Sequence, residues 1–140
     1  MATFNKIQAF VEHMAEGVHD LGADQLVLCM TANANAIVAT NTILGNLTQI
    51  SYTNASTRNL TTSASAQSSG TYKLTINDIV ITASGGTVGP FQQVGVFNDT
   101  PTSPVDPLVC WHDYGSDLTL ADTETFTWDA DGTNGLLQVA

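Results

Sequence analysis

Positive charge is what this chain has least of. Lys6, Arg58 and Lys73 are its only Lys or Arg residues among 140, and they face 13 acids, for a formal net charge of −10. A chain of that sign cannot neutralise phosphates, which excludes a basic face for DNA or RNA, and it disfavours anionic membrane surfaces. No apolar run reaches the roughly 18 residues that suggest a membrane-spanning helix. The N-terminus lacks the basic region, apolar run and cleavage site of a secretory signal. Synthesis and folding in a reducing cytoplasm are therefore expected. Cys29 and Cys110, the only two cysteines, have no close Cys or His partners for zinc and are expected as buried thiols.

Catalytic signatures are missing as well. His13 and His19 are six residues apart, which does not place both on one helix face, and His112 is remote; surface or interfacial histidines are expected. There is no G-x-S-x-G, no H-E-x-x-H and no phosphate loop ending in Lys-Ser/Thr. Ser84-Gly85-Gly86 has the look of an anion nest, but no Lys or Arg follows Lys73. Glu124 with Asp122 or Asp117 reads as solvated edge residues rather than an acid–base pair. Neither an enzyme nor a cofactor is expected. The one metal candidate, a weak one, is Asp129, Asp131 and Asn134, whose spacing around Gly132 resembles the start of a calcium loop. It lacks the distant bidentate Glu, and Asp-Gly and Asn-Gly equally serve a hairpin turn. The N-x-S/T matches at Asn46, Asn54, Asn59 and Asn98 carry no weight in a chain so rich in Asn and Thr.

What is present is small and polar: 20 Thr, 9 Ser and 10 Asn, beside 43% hydrophobic residues. At 14.7 kDa the folded chain should expose about 6,900 Å² against about 21,000 Å² unfolded, enough for a real core. Phe4, Ile7, Phe10, Val11, Met14 and Val18 recur at helical spacing, with Thr3 as N-cap, so residues 4–18 are expected as an amphipathic helix. Residues 24–30 read as a strand. Residues 37–38 and 44–52 are possible short strands, and 54–70 an extended polar arm or long loop. From residue 71 the period becomes two, with strands expected near 72–81, 91–97, 108–111, 119–120, 123–128 and 136–139. Turns are expected at Gly85-Gly86, Gly89-Pro90, Asp131-Gly132 and Asn134-Gly135. The fold class is mainly β: an antiparallel sandwich or barrel with one N-terminal helix and a long polar arm. Residues 1–70 form the helix, short strands and arm, and 71–140 the β-module, within one compact domain.

Several pieces in order carry a resemblance: TASGGTVGPF at 82–91, FNDT at 97–100, Pro107-Leu108, WHDYGS at 111–116, TETFTW at 123–128 and DGTNG at 131–135. The opening FNKI at 4–7 and GVHDL at 17–21 belong with them. Nearly end to end, the chain resembles small virion structural proteins of tailed bacteriophages, though Gln92 stands where a basic residue is expected. The resemblance implies a capsid decoration (cement) protein on the outer head shell, a homotrimer whose partners are its own copies and the major capsid protein. Phe4, Ile7, Phe10, Val11, Arg58, Trp111 and Tyr114 are the interface candidates. The alternatives are a tail, neck or fibre component, or a carbohydrate- or receptor-binding β-sandwich using Trp111, Tyr114 and Trp128 with nearby acids.

Overall fold

In a computed structural model that describes residues 2–140, the strands and one α-helix follow in the order β1 (Thr3–Lys6), α1 (Ala9–Ala15), β2 (Leu26–Thr31), β3 (Thr62–Ser68), β4 (Thr71–Ile76), β5 (Ile79–Thr82), β6 (Val88–Asn98), β7 (Leu108–Leu120), β8 (Thr125–Trp128) and β9 (Leu137–Val139). Every pairing is antiparallel. A four-stranded sheet has the order β1-β7-β6-β2, a three-stranded one β3-β4-β9, and β5 pairs with β8. The fold is thus mainly β with one short N-terminal helix, and among the described residues no sheet closes into a barrel.

The sequence of β2, LVLCMT, explains the centre of the molecule. An uninterrupted apolar strand has no solvent face, and all six of its residues are buried. Register places Phe4, His112, Val94 and Met30 in one row across the four strands, and Asn5, Trp111, Gly95 and Cys29 in the next. Alternate rows point to opposite faces. On the Gly95 side the chain between β2 and β3 lies close: a Cβ on Gly95 would sit 2.7 Å from Cys29 Sγ and 3.0 Å from Ile37 Cδ1. Ile37 also donates its N–H to Gln93 Oε1. On the His112 side, Phe91 of β6 meets Phe126 of β8 edge-on at 5.2 Å, and His112 meets Trp128 at 5.5 Å. The total exposed surface, 7068 Å², is close to what this mass predicts for a compact chain.

Two expectations change at the N-terminal side. The helix begins at Ala9, not Phe4, and Thr3 is no cap, because Thr3–Lys6 pairs with Asp113 through Cys110 of β7. Thr3, Phe4 and Asn5 are weak helix formers, and the free edge of β7 satisfies their backbone groups instead. Residues 54–70 are not an arm either. Leu28 N–H donates to Arg58 O at 3.0 Å and Leu60 N–H to Leu26 O at 2.9 Å, so residues 58–60 cover the edge of β2. The chain then enters β3 and turns into β4 through Ser69 (φ 51) and Gly70 (φ 85). That two-residue turn with positive φ at both positions is the one hairpins favour. The boundary expected at 70/71 falls inside it, and β1 and β2 pair with β7 and β6.

The segments expected as separate strands at 108–111 and 119–120 are ends of a single thirteen-residue β7. Gly89-Pro90 lies within β6 instead of marking a turn, at a register shift between Val88 and Phe91. The short strands expected at 37–38 and 44–52 are absent; the segment has 3-10 turns at Asn33–Asn35 and Leu44–Asn46 and an isolated bridge from Ile43 to Pro107. Among the described residues no helix is long and apolar enough to cross a membrane.

Candidate functional site

Strand alternation gathers the exposed aromatics. Along β7, His112 and Tyr114 share one face while Trp111 and Asp113 take the other. Phe4 of β1 stands beside His112, and Phe126 and Trp128 of β8 close over them. With Val94 below and residues 129–138 as a wall, they line a groove of about 860 Å³. Its rings meet edge-on in two runs: Phe4–His112–Trp128 at 5.5 Å per step, and Tyr114–Phe126 at 6.1 Å. Phe4 and Tyr114 are about half exposed (45% and 52%), whereas Trp128 is buried at 7%. Burial holds the His112 pKa below its ordinary value, which favours a neutral ring at neutral pH.

The wall carries Asp129 and Asp131 and no Lys or Arg. Asp131 shapes its own loop: Oδ1 accepts from Thr133 and Asn134 N–H at 2.8 Å each, and Oδ2 from Asn134 Nδ2 at 2.7 Å. Those bonds, with Asn134 contributing most, hold its carboxyl below the usual range. Asp131 and Asn134 are therefore engaged with each other, and Asp129 is exposed alongside. Among the described residues no set of three or more His, Cys, Asp or Glu converges as a metal cluster.

The interface candidates separate sharply. Phe4 and Tyr114 face the groove, and Val11 is exposed on α1 (54%). The other four are taken up within the chain. Ile7 and Phe10 are core residues at 0% and 5%, and Trp111, at 8%, lies on the sheet face opposite Tyr114. Arg58 donates through Nη1 to Leu28 O and sits 3.7 Å over the Tyr52 ring, fastening residues 52–58 to β2. Burial pushes the Tyr52 hydroxyl up to about 12, and the Cys29 thiol likewise to about 12; Cys29 and Cys110 are free and buried.

The acids considered for catalysis act locally: Asp122 accepts from Gly85 N–H, Glu124 from Ala121 N–H and Asp117 from Asn33 N–H. His19 departs from the surface or interfacial role expected for it, being packed inside the chain. It is 8% exposed, with its ring 5.8 Å from His13 and 5.2 Å from Phe10, because α1 stops at Ala15 and Val18 N–H folds back to His13 O. Asn98, fully buried, lies with Nδ2 3.1 Å from His19 Nδ1 and donates to Asp24 Oδ2 at 2.6 Å. Comparison with protein-family models, curated proteins and solved structures finds no match.

Proposed function

We propose that this chain is a structural virion protein of a tailed bacteriophage: a decoration, or cement, protein on the outer head shell. The observation that carries the reading is where the acids are not. Residues 25–77 contain no Asp or Glu and hold Arg58 and Lys73, while the 13 acids lie on either side of that stretch. The acid-free stretch covers the edge of β2 and ends in the β3–β4 hairpin, whose residues 63–70 are all exposed. A subunit of this design attaches by its acid-free flank and turns its acids to solvent, where like charge keeps particles apart. Its partners are the major capsid protein and its own copies, as a homotrimer. Each contact needs about 1,200–2,000 Å² of total buried surface to be stable alone, and less when many copies act together. The resemblance to phage virion proteins supplies the setting.

A quantified gel of purified virions tests this. Copies on the order of hundreds per particle are expected of a subunit repeated over a symmetric shell; only tens would place the chain in the tail, neck or fibre.

A second reading is favoured by the groove. Tyr114, Phe126 and Phe4 offer ring surface beside Asp129 and Gln138, an arrangement suited to sugar rings, with Trp128 as a reporter in the wall. A carbohydrate-binding role predicts a saturable change in Trp fluorescence with at least one glycan of a broad panel. No response across the panel removes this reading.

A further inference from the structure

We propose that β3 is a pairing edge, occupied in solution by β3 of a second copy of this chain in antiparallel register about a two-fold axis. The inference stands without the decoration reading, and it puts a two-fold pair in solution where that reading has a homotrimer.

The molecule treats its strand edges unequally. The edge of β2 is covered by residues 58–60, and β5 is flanked by Ser56, which donates its N–H to Thr82 O at 3.0 Å and accepts Thr82 N–H on Oγ at 3.0 Å. The other edges are short or charged. β1 has four residues including Lys6, β8 has four between Glu124 and Asp129, and β9 has three. β3 is different: seven residues, TSASAQS, with no charge and no proline. Long, flat, uncharged edges are what monomeric proteins avoid, since unpaired N–H and C=O groups recruit another strand.

The hairpin shows which groups are unpaired. The pair flanking a two-residue turn is a hydrogen-bonded one, here Ser68 and Thr71. Ser68 and Ala66 therefore bond to β4, and the N–H and C=O groups of Ser65 and Gln67 point outward. An edge with two such residues on either side of Ala66 is self-complementary. Ser65 of each copy bonds to Gln67 of the other, giving four N–H···O=C bonds. Ala66 meets Ala66 at the axis, where Cα atoms approach to about 4.5 Å and a methyl fits.

Charge selects the same surface. Two chains of net −10 meet with least repulsion where acids are few: β3 and β4 carry none, and Asp20 comes near only on the face where it lines a recess with Ser65 and Tyr72. The nearest cation, Lys73, sits opposite Ala66 on β4. Across the joined sheet the two Lys73 side chains are three strand spacings apart, about 14 Å, beyond the screening length at physiological salt.

Cross-linking tests the register. With oxidised glutathione as oxidant, Ala66→Cys should form disulfide-linked dimer at least about tenfold faster than Thr48→Cys, an exposed position in the same acid-free stretch. Adding Gln67→Pro to Ala66→Cys should return the rate to that of Thr48→Cys, because proline removes an outward N–H without touching the β4 ladder. Circular dichroism checks that this variant is folded, and Ser65→Pro replaces it if it is not. Equal rates for Ala66→Cys and Thr48→Cys overturn the proposal. So does fast cross-linking that survives the proline in a folded protein. A β3 edge that pairs only with a strand of another protein also overturns it, and shows itself by equal rates.

Discussion

Phe91→Ala should destabilise the fold by about 3–5 kcal/mol, the largest loss expected from a single side chain here. Phe91 is fully buried on β6, opposite Leu118 of β7, and its ring meets Phe126 edge-on at 5.2 Å. With His112 against Trp128 and Tyr114 against Phe126, it is one of the rings through which the four-stranded sheet holds β8, and the fully buried one. Truncation leaves a cavity bounded by strand backbones, which cannot collapse to fill it, and also removes the backing of one groove wall. Urea unfolding monitored by Trp fluorescence should show a lower midpoint with an unchanged slope. Tyr114→Ala, at the exposed end of the same run of rings, should cost less than about 1 kcal/mol. Equal losses for the two variants would mean that Phe91 does not join the layers.

Acidification should weaken the protein well before its carboxylates protonate. Burial, then the neighbouring His13, lowers the His19 pKa from 6.5 to about 4, with Asp24 pulling the other way. Between those values the unfolded chain carries a proton on His19 that the folded chain lacks. Stability is therefore complete above about pH 6.5 and falls as pH drops toward 4. The full difference corresponds to about 3 kcal/mol, and partial water access brings the expected loss to about 2 kcal/mol. His112, also lowered by burial, adds to the same slope. Melting midpoints from pH 7 to pH 4 should fall steeply for the wild type and less steeply for His19→Gln. Parallel curves would show that His19 is not the group responsible.

Those results bear on what the residues alone revealed. β2 and the middle of β6 were legible because unbroken apolar runs with strand length have few alternatives. β3 was not, since nothing in TSASAQS points to a core: backbone pairing with β4 makes the strand, and its side chains stay in water. The helical spacing from Phe4 to Val18 was real but shared between a strand and a helix, so Ile7 and Phe10 are buried while Val11 is not. For the groove, Tyr114 and Trp128 were visible as polar-tipped aromatics near acids. Trp111 was misplaced beside them because 111–116 was not read as continuous strand; three residues of separation put it on the other face. Phe4 and His112 join the groove only through the pairing of β1 with β7, between residues more than a hundred positions apart in sequence. The meeting of His13 and His19 likewise depends on where α1 stops.

The chain between β2 and β3 leaves one strand and comes back to that same strand. Residues 32–57 depart from Thr31, and the path is tied down again where Ile50 N–H reaches Met30 O at 3.0 Å and Leu28 N–H reaches Arg58 O. Both ends of this excursion are anchored on β2, and between them it also reaches β6 through Ile37 N–H to Gln93 Oε1, β5 through Ser56 N–H to Thr82 O, and the start of β7 through Leu108 N–H to Thr42 O. Doubling such a loop adds only about 0.6 kcal/mol of closure entropy. A foreign peptide inserted between the exposed Ala34 and Asn35 would lie between two such ties, Asn33 N–H to Asp117 Oδ1 and Ile37 N–H to Gln93 Oε1, so cargo loaded there would leave the surface from two points the sheet already holds.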